Sequence, residues 1–120
     1  MKTIYLLLLA LPQLAHSACE EGDFVFVDDG TVQIGINGRG YSPSCLQVRP
    51  GIQVTIQASQ GHPLQGVPNA PGQPANPFAR GTEGVVPDTQ VLSSSGSYRY
   101  FCTRHGDADG NGMAGEIRVR

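Results

Sequence analysis

Glycine and proline set the strongest limit on what this chain can fold into. Of 120 residues, 16 are glycine and 9 are proline, so about a fifth of the chain consists of residues that interrupt helices. Helical periodicity of useful length is lacking, whereas several short runs alternate apolar and polar residues. The predicted strands are Phe24–Val27, Thr31–Ile36, Leu46–Val48, Ile52–Ile56, Tyr98–Cys102 and Glu116–Val119. This pattern predicts an all-β fold, a small Greek-key β-sandwich.

Turn residues suggest how these strands are connected. Asp28-Asp29-Gly30 separates the first two predicted strands, and Pro50-Gly51 separates the third from the fourth. We therefore expect the first strand to pair with the second, and the third with the fourth. The stretch 59–88 contains six prolines and is predicted to be mostly loop, because proline cannot donate a hydrogen bond to a sheet.

The N-terminus has the features of a secretory signal peptide. Lys2 is followed by the short apolar run Ile4–Leu11 and then by small residues, and the run is too short to span a bilayer. We predict a signal peptide at 1–17, a mature domain at 18–120, export to the periplasm or medium, and no membrane span. Cleavage after Ala18 and lipidation of Cys19 are the alternatives.

The charge of the chain limits its partners. It has 8 Lys+Arg against 10 Asp+Glu, a formal net charge of −2. Non-specific nucleic-acid binding needs a strongly basic surface, so that class of function is excluded. A net negative charge weakly favours a basic protein partner.

Three cysteines are an odd number for an exported protein. The economical pairing is a disulfide between Cys19 and Cys45, since both lie in polar, turn-rich segments. Cys102 then keeps a thiol with a function of its own. Two alternatives stay open: Cys45 pairs with Cys102, or Cys102 is an inert buried thiol.

The supply of soft or imidazole metal ligands in the mature chain is very small. It consists of His62, Cys102, His105 and Met113, and the last three lie within the twelve residues CTRHGDADGNGM. Two histidines, a cysteine and a weak axial methionine form the ligand set of a blue-copper centre. A lone histidine is usually only a polar surface residue, so the prediction depends on the whole set.

Four stretches resemble the cupredoxin family, the plastocyanin-like blue copper proteins. They are YSPSCLQVRPGIQVTIQAS, HPL, SGSYRYFCTRHG and GMAGEIRV, which cover most of 41–120. The resemblance implies one copper ion bound by His62 from an early loop, and by Cys102, His105 and Met113 from the loop between the last two strands. The gap from His105 to Met113 is longer than is usual in plastocyanins.

The resemblance also implies a function and a docking surface. A type 1 copper site whose positions are all filled by protein favours one-electron transfer between exported redox partners over enzymatic catalysis. Partners would dock transiently near His105, with Pro63, Leu64 and Ala114 as candidates for an apolar patch. The alternatives are a copper-binding or buffering protein without a dedicated redox partner, and a metal-free interaction domain.

A second motif overlaps the first. Asp107, Asp109, Asn111 and Gly112 match the first positions of an EF-hand calcium loop, but Arg118 stands where the loop needs a bidentate glutamate. Such runs are more often tight solvated turns, so a calcium site is only the minor alternative.

Overall fold

The computed structural model describes residues 19–78 and 84–120, which form nine β-strands and one 3-10 turn at Glu21–Asp23. The predicted signal peptide at 1–17 lies outside the described residues. In chain order the strands are β1 (Val25–Phe26), β2 (Thr31–Asn37), β3 (Gly40–Ser42), β4 (Cys45–Val48), β5 (Ile52–Ile56), β6 (Leu64–Gly66), β7 (Asp88–Leu92), β8 (Gly96–Gly106) and β9 (Gly112–Val119).

The strands form two sheets, and the predicted all-β sandwich is confirmed. The first sheet has the order β1-β4-β9-β8-β6 and the second has the order β3-β2-β5-β7. Both are mixed, because β1–β4, β4–β9 and β2–β5 are parallel pairs while the other neighbours are antiparallel. The chain therefore crosses from one sheet to the other several times, and the last two strands form the long hairpin β8–β9.

The two pairings that we predicted from local turns are wrong. β1 lies in the first sheet and β2 in the second, and β4 and β5 are separated in the same way. The turn at Pro50-Gly51 is real, since Gly51 has a φ of 94° and its N–H donates to the Leu92 carbonyl at 2.7 Å. A turn fixes only the local change of direction, whereas burial decides which sheet the next strand joins. These turns carry the chain across the sandwich.

The core lies between the sheets and follows the predicted alternation. In β5, three residues are buried and the two between them are half-buried. The buried aliphatic residues come from both sheets and include Ile34, Val54, Ile56, Leu46, Val48, Ile117 and Val119. At ~25 cal/mol per Å² of apolar surface, this cluster is the main source of stability for a domain of this size.

The proline-rich stretch is more ordered than its composition suggests. It contains β6 and the first residue of β7, and the side chain of Asn76 holds its middle in place. The Asn76 amide donates to the carbonyls of Val67 and Arg99, each at 2.9 Å, and its oxygen accepts the N–H of Phe78 at 3.0 Å. Phe78 is buried in the core. A single buried amide thus replaces the sheet hydrogen bonds that proline cannot make.

Two further predictions concern the disulfide and a membrane span. The disulfide joins Cys19 to Cys45, with a Cα–Cα distance of 5.7 Å, and Cys102 is a free buried thiol, so the economical pairing is confirmed. Within residues 19–78 and 84–120, no helix is long and apolar enough to cross a membrane.

Candidate metal centre

Three of the four predicted ligands meet at one end of the sandwich. The Sγ of Cys102 lies 3.8 Å from Nδ1 of His62 and 3.7 Å from Nδ1 of His105. One ligand atom from each of the three residues lies within 4.8 Å of the others. The two imidazole rings are tilted by 47° with centroids 5.0 Å apart, so both present a nitrogen to the same sulfur.

The short strand β6 brings His62 to Cys102. Leu64 pairs with Cys102 in the antiparallel β6–β8 ladder, and the Thr103 N–H donates to the Pro63 carbonyl at 3.0 Å. His62 therefore stands just before a paired strand. Its backbone is held further by hydrogen bonds in both directions with Ser59, at 3.1 and 3.2 Å. The loop that carries His62 is thus held by backbone hydrogen bonds on both sides of this residue.

An irregularity in the β8–β9 hairpin places His105. The register shifts between Phe101 and Gly106, so the four residues 102–105 of β8 lie opposite Met113 alone on β9. Extra residues make a strand bow out, which turns His105 towards Cys102. The predicted loop between the last strands is thus shorter than expected, because Cys102 and His105 belong to β8 and Met113 belongs to β9.

Two glycines permit the close approach of these strands. Gly106 pairs with Gly112, and a Cβ on Gly106 would overlap the Met113 carbonyl. Gly112 has a φ of 70°, and a Cβ there would overlap the His105 carbonyl. Glycine at 106 and at 112 is therefore explained by the close approach of the backbone around the site, and at 112 also by the left-handed φ.

Met113, the fourth predicted ligand, occupies a position consistent with its role. It is 1% exposed and lies at the start of β9, opposite the bulged part of β8. It also packs in the main core cluster, as a buried methionine does with or without a metal. Its assignment as axial ligand stays a prediction.

The donors differ in their access to solvent. Cys102 is fully buried, whereas His62 and His105 are half-buried. Desolvation lowers the pKa of His105 below its usual range, and electrostatic interactions with Arg39, His62 and Arg104 lower that pKa further. A neutral imidazole is the form that binds a metal. One sulfur and two nitrogens that converge in this way fit a soft or borderline transition metal better than a hard cation.

The structure corrects the predicted apolar patch beside His105. Leu64 is 4% exposed and Ala114 is 6% exposed, so neither is available to a partner. Leu64 is buried because its side chain packs in the core cluster between the sheets, although β6 is an edge strand, and Ala114 is buried on β9. Of the three candidates, only Pro63 remains half-exposed.

The segment that resembles a calcium loop, from Asp107 to Gly112, is a tight turn held by hydrogen bonds within the segment. One carboxylate oxygen of Asp107 accepts the backbone N–H groups of Asp109 and Asn111, at 3.0 and 3.1 Å, and the other accepts the Asn111 amide at 3.2 Å. These bonds lower the pKa of Asp107. The solvated-turn interpretation accounts for all of these contacts.

Sequence reasoning did not associate two arginines with the site. Arg39, at the tip of the β2–β3 hairpin, and Arg104, on β8, line one shallow cleft together with His105. Arg104 also donates to the Gln60 carbonyl at 3.3 Å, which ties β8 to the loop of His62. The adjacency of Arg104 and His105 in the sequence gave a weak signal, but nothing local connects Arg39 to residues 65 positions later.

No family model and no curated protein matches this sequence, so the useful comparisons are with solved structures. A Cu-containing nitrite reductase from Thermus scotoductus SA-01 superposes with a TM-score of 0.57 and 17% identity, over 82% of this chain but only 28% of the reductase. A pseudoazurin from Sinorhizobium gives 0.55 and 24%, over 78% of this chain and 75% of the pseudoazurin.

A third structure, a variant of amicyanin, gives a TM-score of 0.54 and 23% identity, over 88% of this chain and 90% of amicyanin. Pseudoazurin and amicyanin are cupredoxins, and the match extends over nearly the whole of amicyanin. Together with the sheet order and the His-Cys-His cluster at one end of the sandwich, these comparisons show that the chain has the cupredoxin fold.

Proposed function

We propose that the protein binds one copper ion through His62, Cys102 and His105, with Met113 as a weak fourth ligand, and that it carries single electrons between partner proteins. The observation that carries the proposal is the convergence of the Cys102 Sγ and one ring nitrogen of each histidine within 4.8 Å. A thiolate with two imidazoles selects copper over hard cations.

Neighbouring structures support the choice of metal. One is described as a Cu-containing nitrite reductase and another as the Cu(I) form of an amicyanin variant. Copper, when bound, would supply a one-electron couple between Cu(I) and Cu(II).

The residues of this chain suit electron transfer better than catalysis on a small substrate. With Met113, the four side chains would fill the coordination positions and leave none for substrate. Fully buried Cys102 excludes water from the sulfur, and the ladder and turn bonds around His62 hold the nitrogen donors in place. A site that is organised in advance changes little between two oxidation states. We therefore propose a carrier and not an enzyme.

Export is the second part of the proposal. The Cys19–Cys45 disulfide fits an oxidising compartment, where such bonds form and persist. We propose that 1–17 is removed as a signal peptide and that 18–120 is the mature domain. The mass of the exported protein tests this, since a retained leader would contradict it.

A copper titration tests the function, with Cys102→Ser as the decisive variant. The wild-type protein titrated with Cu(II) should give an intense blue thiolate-to-copper band that saturates at about one copper per chain and bleaches with ascorbate. Cys102→Ser should lose the band and keep its β-type circular dichroism. Thr103→Ser, an exposed change on the same strand, should keep the band.

The outcomes separate the candidate functions. A blue Cys102→Ser protein would refute the ligand assignment. A wild-type protein that binds copper but cannot be cycled between ascorbate and a mild oxidant would favour copper buffering over electron transfer. A folded, colourless wild-type protein would leave an interaction domain with the same fold.

A further inference from the structure

We infer that the partner docks on the exposed edge of His105 with an acidic protein surface, which Arg39 and Arg104 select. This inference rests on the proposed electron transfer and names the chemistry of the partner. It reverses the expectation from net charge, because a chain with a charge of −2 would otherwise favour a basic partner.

The first observation is the composition of the cleft beside His105. Arg39 and Arg104 are exposed and line the same cleft as His105. Neither arginine forms an ion pair with a described carboxylate. The Gln60 carbonyl accepts from Nη1 of Arg104, so the other guanidinium donors remain free to meet carboxylates bidentately.

Asp107 is the acidic group in the same cleft, and it is already engaged. Both of its carboxylate oxygens accept hydrogen bonds from Asp109 and Asn111 within the β8–β9 turn. Two guanidinium groups without an ion pair among the described residues therefore face one carboxylate, and the cleft is positive on balance.

The second observation is the separation of charge along the domain. Five of the ten acidic residues lie in the short segment 20–29. In this segment, Val25 pairs with Leu46, and Leu46 pairs with Ile117 near the far end of β9. Met113 lies four residues before Ile117, about 13 Å along the strand. Asp28 and Asp29, which follow β1, thus lie away from Met113 and from the His105 cleft. Asp28 pairs with Arg49 and Glu21 pairs with Arg118, so the negative excess of the segment is smaller than its five carboxylates.

A surface with this polarity steers an approaching partner. Carboxylates on the partner would be attracted to the arginine end and repelled by the acidic end, so encounters would bring the partner to His105. The burial of Leu64 and Ala114 removes two of the three predicted members of an apolar patch at this position. In the cleft itself, the two arginines are the exposed groups that select a partner by charge.

Stopped-flow oxidation of the reduced copper protein tests the inference, with hexacyanoferrate(III) as the anionic probe and tris(phenanthroline)cobalt(III) as the cationic one. One electron passes from the protein to the complex, iron(III) becomes iron(II) or cobalt(III) becomes cobalt(II), and no proton or bond is transferred. The rate constant for oxidation by the anionic probe should fall as ionic strength rises, whereas the rate constant for the cationic probe should not.

Matched variants identify the residues. Arg39→Gln combined with Arg104→Gln should lower the hexacyanoferrate rate roughly tenfold at low ionic strength, which lies at the lower end of electrostatic steering effects. Arg49→Gln is the control, because Arg49 pairs with Asp28 at 2.8 Å and follows the strand that pairs with the far end of β9. It should change the rate less than twofold.

A polyanion supplies the macromolecular probe. Poly-L-glutamate should slow the oxidation of the wild-type protein by hexacyanoferrate at low salt and leave the double variant unaffected. A rate constant for the cationic probe that falls as ionic strength rises, or an equal fall in the Arg49→Gln and double variants, would overturn the inference. A protein without a reversible blue band would refute the proposed function itself, so the two failures are distinct.

Discussion

Removing the Cys19–Cys45 disulfide should weaken the fold and leave the metal centre intact. The bond closes a segment with a sequence separation of 26 and ties the N-terminal strand region to β4. Cys45 pairs with Glu116 on β9, three residues and about 10 Å from Met113. The bond is therefore far enough from the ligand cluster for its loss to affect stability alone.

The magnitude follows from the length of the closed loop. Loop-closure entropy for about 26 residues gives ~3.5 kcal/mol at 25 °C. For a domain of this size, that loss lowers Tm by about 15–25 °C. Since such domains are stable by only ~5–15 kcal/mol, the variant should fold at room temperature but with a much smaller margin.

The assay is urea unfolding of Cys19→Ser/Cys45→Ser followed by circular dichroism, alongside the copper titration. The free energy of unfolding should fall by about 3.5 kcal/mol, and the position of the blue band should not change. Wild-type protein with its disulfide reduced should show the same fall, and reductant should not affect the variant. A loss below ~1 kcal/mol, or a shifted band, would show that the reasoning from loop length and distance is wrong.

Two further substitutions test the packing around the site. Gly112→Ala should lower the free energy of unfolding by more than ~2 kcal/mol and weaken copper binding, because residue 112 has a left-handed φ and a Cβ there would overlap the His105 carbonyl. Gly30→Ala is the control, because a Cβ at residue 30 meets nothing within 4 Å. It should lower the free energy of unfolding by less than ~0.5 kcal/mol in the same urea titration. Tyr100→Phe should leave stability unchanged or raise it by up to ~1 kcal/mol, because its buried hydroxyl has no hydrogen-bond partner among the described residues. Tyr98→Phe should instead cost about 1 kcal/mol, because that hydroxyl donates to the Ser94 carbonyl at 2.6 Å, and equal effects of the two changes would contradict this argument.

Local patterns in the sequence were sufficient to locate most strands. Alternation identified β5 at its exact bounds, and burial in that strand alternates as the pattern requires. Alternation did not identify β3, which has three residues, because a run that short contains too little periodicity. It also did not identify β7, where exposed Val91 lies in an edge strand.

Pairing could not be predicted in the same way. The tight turns between the first and second strands, and between the fourth and fifth, look like hairpin turns in the sequence. In the fold they connect different sheets, because β4 is needed between β1 and β9 in the first sheet while β5 lies between β2 and β7 in the second. That choice depends on residues more than 60 positions apart, so no local signal contains it.

The ligand cluster was predictable because the chain contains very few side chains that bind soft metals. With only two histidines and one unpaired cysteine outside the predicted signal peptide, any soft-metal site had to use them. The surface around the cluster was not predictable, since nothing in the local sequence shows that the side chains of Leu64 and Ala114 are buried. Arg39 reaches the cleft only through the packing of the β2–β3 hairpin.

The different exposure of the donors indicates where an electron would enter or leave. Cys102 is fully buried and lies between core residues, so the sulfur itself cannot meet a partner. His105 is half-buried and lines an open cleft, which makes its ring edge a short path from the site to solvent. The same hairpin bulge that turns His105 towards the sulfur also places Arg104 on the adjacent surface. Metal binding and partner selection therefore depend on one local irregularity, and a change that straightens β8 should impair both together.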